Sequence, residues 1–295
     1  MASFCAKLPR PEYTQLERVE IADDWFEVYQ VADGVTAIYE PHQWQEVISY
    51  LIEGDDSALL FDTGNGIGDI AAVVAGLTEK PITVLNSHGH YDHVGGNYQF
   101  ETILGMDTEF TRARQQGHAN ESIAIEVSPE ALCRPLPEGV TEENHVGRPY
   151  QIDQFIEDGF EIDLGGRTLE VILIPGHTPD AIALIDREAR LMWTGDSFYA
   201  GPIWLFASET DLAAYAESLD RMIAEIPNVN ALLPAHNTPW VEPGVLLRVH
   251  SGFEAMLDGN TERLDQGDGM IEHRIEGEEG FSFLMRDEEL PYVGE

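Results

Sequence analysis

The 295-residue sequence predicts an α/β fold in which two sheets pack face to face with helices outside, an αββα four-layer sandwich. Three observations lead there. Short stretches between residues 24 and 61 alternate apolar and polar positions, as half-buried strands do. The period then lengthens to that of a helix, and the same β-then-α order recurs in the second half of the chain.

In chain order, the stretches 26–31, 35–39, 47–52 and 58–61 are separated by the turn signals Asp33-Gly34 and Gly54-Asp55-Asp56, which predicts an antiparallel meander. Residues 69–80 have helical spacing that stops before Pro81, and 82–86 form a buried strand. Residues 108–117 are helical. The stretch 118–160, with its prolines and acidic clusters, is expected to be an insertion over a site. Beyond it come a hairpin over 160–174 around Gly165-Gly166 and strands at 181–186 and 191–194. Apolar Leu212, Tyr215, Leu219, Met222 and Ile223 predict a helix over 211–225. A strand at 229–233 precedes a helix at 243–257 with Pro243 in its first turn, and one more strand pair is expected over 271–286. The whole of 1–295 is expected to form a single domain, with 259–295 as a C-terminal extension.

The charge is the unusual feature: 54 acidic residues against 16 basic, a formal net charge of −38, with Lys7 and Lys80 the only lysines. Such a surface repels phosphate backbones and anionic membranes, so neither nucleic acid nor membrane is an expected partner. It suits either an ordinary solvated acidic surface or a protein from a salty habitat. Melting temperature measured up to molar salt separates the two, because only the second predicts a steep rise. No apolar run is long enough to span a bilayer, and the first residues lack the apolar core of a signal peptide, so a cytoplasmic location is expected. Cys5 and Cys133 sit near no other cysteine and in no metal-ligand spacing, and are expected to be separate thiols.

The chemistry concentrates in His88-Gly89-His90-Tyr91-Asp92-His93, which follows the buried strand at 82–86. In an extended segment residues i and i+2 point the same way, so His88 and His90 can converge on one ion. The turn that follows redirects Asp92 and His93 toward a second position. Imidazole with carboxylate and no thiolate suits a catalytic zinc, iron or manganese rather than a structural zinc.

This hexapeptide resembles the His-x-His-x-Asp-His signature of the metallo-β-lactamase superfamily, and the resemblance runs from about residue 24 to 257. Phe61-Asp62-Thr63-Gly64 is similar to the family's early Asp-Thr-Gly turn. Ile174-Pro175-Gly176-His177, Trp193-Thr194-Gly195-Asp196 and Leu233-Pro234-Ala235-His236 are similar to its later motifs, in the family's order. The resemblance implies a dinuclear site for two zinc ions, or iron or manganese. His88, His90 and His177 would bind the first metal, and Asp92, His93 and His236 the second, with Asp196 bridging. Asp62 would orient the metal loop through hydrogen bonds, and Asp92 would also shuttle a proton.

Within the family, the bridging Asp196 argues against a dedicated β-lactamase, whose fourth motif usually carries Cys or Ser. Glyoxalase II-like thioesterases, lactonases and phosphodiesterases retain the Asp. The basic C-terminal residues of glyoxalase II have no evident counterpart, since only Arg263, Arg274 and Arg286 follow Leu257. The chain also resembles N-acyl homoserine lactonases in placing Tyr199 three residues after Asp196, where its phenol would donate to a developing oxyanion. Trp44, Trp204 and Phe206 are candidates for an apolar pocket wall. The expectation is a metal-dependent hydrolase of a carboxylic ester, lactone or related acyl bond, with a small, neutral and partly apolar substrate. Thioester or β-lactam hydrolysis is the alternative, and a mononuclear-iron persulfide dioxygenase is the alternative of another class.

Overall fold

The computed structural model describes residues 3–286, so residues 287–295 of the expected C-terminal extension lie outside the described residues. The first sheet runs in chain order: β1 (Glu17–Val19), β2 (Glu27–Ala32), β3 (Val35–Tyr39), β4 (Ile48–Glu53), β5 (Ala58–Phe61), β6 (Ile82–Leu85), β7 (Ile103–Met106) and β8 (Gln154–Ile156). Strands β1 to β5 form the antiparallel meander. From β5 onward the pairing is parallel, and each parallel step needs a crossover. Helix α1 (Ile70–Leu77) supplies the first, its start fixed by the Asp69 side chain accepting from the Ala72 amide. The metal-loop turn α2 (Tyr91–Val94) lies in the second, and α3 (Glu109–Arg114) with α4 (Asn120–Ile123) in the third.

The second sheet contains β9 (Glu161–Asp163), β10 (Thr168–Leu173), β11 (Ile182–Asp186), β12 (Leu191–Gly195) and, at its other edge, β14 (Ala231–Pro234). Side-chain alternation assigns each layer. Ile48, Tyr50 and Ile52 of β4 and Ile182 and Leu184 of β11 meet in the core between the sheets. Leu51 faces outward onto α1, while Ala183 and Ile185 face outward onto α5 (Leu212–Ala224) and α6 (Val245–Leu257). The four layers are therefore helix, sheet, sheet, helix.

Two expectations need correcting. The chain end is more than a strand pair: β13 (Gly201–Trp204) joins β15 (Glu262–Gly267), β16 (Met270–Arg274) and β17 (Phe281–Arg286) in a third sheet. Strand β15 was hidden because it is almost wholly exposed and polar, so it carries no apolar alternation. Cys5 and Cys133 are not separate thiols but form a disulfide across 128 residues of sequence. The fold brings their Cα atoms to 5.5 Å by laying the N-terminal segment beside the 118–150 region, a contact no local pattern encodes. Disulfides persist in oxidising surroundings, which bears on the cytoplasmic expectation too. Among the described residues, no helix is long and apolar enough to cross a membrane.

Candidate metal centre

Every ligand candidate lies just past the carboxyl end of a strand, where open α/β sheets place their sites. Asp62 follows β5, the hexapeptide follows β6, His177 follows β10, Asp196 follows β12 and His236 follows β14. The close approach of the turns depends on glycine. A Cβ at Gly95 would lie 2.4 Å from the carbonyl carbon of Asn65, so only a bare backbone lets the metal loop seat on the Asp62–Gly64 turn.

The side chains converge in two groups. His88 Nε2, His90 Nδ1 and His177 Nε2 lie 2.9, 3.0 and 3.2 Å from one another. Asp92, His93 and His236 gather beside them, His93 Nε2 lying 3.4 Å from Asp92 and 3.3 Å from Asp196. Asp196 joins the groups: one oxygen is 3.5 Å from His177 Nε2 and the other 2.9 Å from His236 Nε2.

The outer nitrogen of each imidazole has a different partner, which fixes the ring and its tautomer. His93 Nδ1 donates to Asp62 at 2.9 Å. His88 Nδ1 lies 3.0 Å from the Ser87 hydroxyl, which itself donates to Asp62. The Ser87 amide donates to the same carboxylate at 2.7 Å, so Asp62 holds the start of the loop through three contacts. His177 Nδ1 donates to the Trp204 carbonyl at 2.8 Å and His236 Nδ1 to the Gln45 carbonyl at 2.7 Å. His90 is turned the other way: its Nε2 faces Glu209 at 3.1 Å.

With their outer nitrogens engaged as donors, the inner nitrogens of His90 and His177 face each other and His88 as lone pairs. That clustering is repulsive unless a cation lies among them. Ligand nitrogens at zinc bond lengths of about 2.0–2.1 Å in a tetrahedron sit roughly 3.3 Å apart, close to the spacing found. His93 Nε2 and one Asp196 oxygen are buried without a hydrogen-bond partner, a cost that a metal ligand does not bear. The electrostatics of the first group agree: burial drives His88 well below its ordinary value and His177 to about 4, so both are neutral, as ligands must be. In the second group burial is outweighed by the carboxylates, Asp92 and Asp196 holding His93 well above its ordinary value and Asp196 raising His236, so the protein without metal holds there the positive charge that a cation would replace. Burial would raise the Asp196 carboxyl, but His236 and His93 hold it well below the usual range. The donor set fits two divalent cations.

The centre opens into a cleft of about 1170 Å³. Trp44, Trp204 and Phe206 all line it, with ring centroids 5.4 Å apart between the tryptophans and 5.1 Å between Trp204 and Phe206. Tyr199 also lines the cleft, its ring 4.9 Å from His236, but its hydroxyl donates to the Pro202 carbonyl. The oxyanion-donor role expected for Tyr199 therefore requires that bond to be broken.

Four contributors had no local signal in the sequence. Glu209 touches a ligand from a loop with no motif. The buried Glu126 accepts from Gln43, Trp44 and Tyr91, tying the aromatic wall to the metal loop. Arg10 grips Glu46 with two bonds of 2.6 Å and donates to Asn237 at 2.7 Å, bracing the residues beside Gln45 and His236. The fourth is the Gln45 carbonyl, a group every residue type provides.

Comparison with known proteins gives the same frame. Residues 44–236 match the family model described as the metallo-beta-lactamase superfamily. The human protein "Acyl-coenzyme A thioesterase MBLAC2" is 25% identical over 229 residues, covering 72% of this chain and 81% of that protein. "Hydroxyacylglutathione hydrolase GloC" of Haemophilus influenzae is 26% identical over 166 residues, covering 54% and 70%. Among solved structures, a metallo-beta-lactamase family protein from Thermus thermophilus superposes with a TM-score of 0.60 at 19% identity, over 78% of this chain and 82% of that one.

Proposed function

The chain belongs to the metallo-β-lactamase superfamily, and from that premise we propose that it is a dinuclear metal-dependent hydrolase of an acyl bond in a carboxylic ester, lactone or thioester. The observation that carries this reading is the convergence of two imidazole groups on one shared carboxylate, Asp196, at the base of an aromatic-walled cleft. Two divalent cations, zinc in our reading, would there bring the pKa of a bound water near neutrality and polarise an acyl carbonyl. His88, His90 and His177 would hold the first, and Asp92, His93 and His236 the second, with Asp196 spanning both. Asp92 lies on the cleft side of the centre and is the group to carry a proton toward the departing alcohol or thiol. Asp62 and the two backbone carbonyls keep the rings aimed while charge redistributes.

The names of the relatives favour a thioester. The electrostatics of the cleft favour a donor without a polyanionic leaving group. Of the four cationic side chains lining it, Arg10, Arg114 and Arg274 are each neutralised by a glutamate at 2.6–3.2 Å, leaving Lys7 without an ion pair among the described residues. A neutral, partly apolar acyl group against Trp44 and Trp204 suits such a cleft.

The test is a panel of lactones, esters, thioesters, β-lactams and phosphodiesters assayed with metal-reconstituted protein of measured metal content. Cleavage of at least one ester, lactone or thioester is expected. A chain that carries two metals yet hydrolyses none of these overturns the reading, as does a single iron with persulfide oxidation as the only activity.

A further inference from the structure

Four of the five imidazoles at the centre point Nε2 inward; His90 alone points Nδ1 inward and presents Nε2 to the cleft wall. There it meets Glu209 Oε1 at 3.1 Å. The same oxygen receives Arg114 at 3.2 Å, and the other accepts from the Ser208 hydroxyl at 2.9 Å. Arg114 is itself fixed, its guanidinium 4.3 Å above the Phe110 ring, which meets His90 edge-on at 6.1 Å. Helix α3 can approach this closely because residue 89 is glycine: a Cβ there would lie 2.9 Å from Arg114 and 3.2 Å from Phe110.

We propose that Glu209, braced by Arg114, is the positioning carboxylate of the first metal position. It holds the His90 ring in the Nε2–H tautomer and raises the donor strength of Nδ1 toward the metal. The inference rests on the metal-centre reading above and deepens it. The other carboxylate on a ligand ring, Asp62, is fully buried, whereas Glu209 stands 17% exposed at the cleft. A ligand in the cleft can thus reach the support of the first position directly. Glu209 sits thirteen residues past Asp196, outside every motif, and acts on the metal position through His90.

The test is chelator-competition titration of zinc into wild type, Glu209→Ala and Glu209→Gln, with visible absorption of the cobalt-loaded proteins as a second readout. One stepwise constant is expected to weaken by about 10–100-fold in Glu209→Ala, with the other unchanged and the cobalt bands shifted. Glu209→Gln, whose amide oxygen still accepts from Nε2, should recover much of the loss. Identical constants in wild type and Glu209→Ala, or equal weakening of both, would overturn the assignment. If wild type itself fails to take up two metals, it is the metal-centre reading that falls.

Discussion

Replacing Arg10 with methionine should cost far more than the loss of a surface ion pair. Its guanidinium makes two bonds of 2.6 Å to Glu46, a side chain only 1% exposed, and one of 2.7 Å to Asn237. After the change the Glu46 carboxylate keeps a single side-chain donor, the Tyr39 hydroxyl. Breaking one side of a buried pair typically costs about 3–5 kcal/mol, and an exposed pair about 0–1. Arg10 is itself 20% exposed, so water can enter the space it vacates, and the lower end, about 3 kcal/mol, is the expected value. Urea unfolding of wild type, Arg10→Met and the double variant Arg10→Met/Glu46→Gln at fixed salt measures it. The double variant removes the orphaned charge and should regain roughly half of the loss. A loss under about 1 kcal/mol for Arg10→Met, or a double variant no more stable than the single, would refute the argument that burial decides the cost.

Three other perturbations test different parts of the molecule. Asp196→Ala should abolish hydrolysis and lower bound metal below two equivalents by elemental analysis; full rate with two metals retained would end the bridging assignment. Trp204→Ala should raise KM for long-chain or aromatic acyl donors about 2- to 12-fold, on the ~0.5–1.5 kcal/mol that an aromatic contact is worth, while metal content stays the same because the backbone carbonyl that orients His177 remains. Buried Glu40 has its carboxyl raised from 4.5 to about 7, because desolvation outweighs the bonds from Trp25 and the Asn65 amide. The unfolded chain therefore releases this proton first as pH rises, and stability falls between pH 4.5 and 7 by up to about 3 kcal/mol. Relative to Glu40→Gln, whose amide does not titrate, wild type should lose up to about 3 kcal/mol of stability across that window in urea titrations, and parallel curves would refute it.

What could be read in advance follows the range of each interaction. The meander, the helices over 70–77, 212–224 and 245–257, and the hexapeptide are written within a few residues of themselves, and they stand where expected. His177, Asp196 and His236 needed the order of the motifs, because nothing within one turn of each marks it as a ligand. Strands β7 and β8 escaped notice because four and three residues are too few to display a period. Glu209, Glu126, Arg10 and the Cys5–Cys133 bond act across 35 to 227 residues, and only the folded chain defines their partners. Tyr199 shows what spacing leaves out: it places the residue beside the centre but does not disclose that its hydroxyl donates to the Pro202 carbonyl.

The two carbonyls that aim His177 and His236 come from Trp204 itself and from Gln45, the neighbour of Trp44. The segments that orient the metal ligands are thus the ones that carry the walls of the cleft, yet the two duties fall on different atoms. The main-chain oxygens remain when a side chain is replaced, whereas the rings do not. A change of ring at Trp44 or Trp204 can therefore reshape the cleft wall while the oxygens that aim His177 and His236 stay in place.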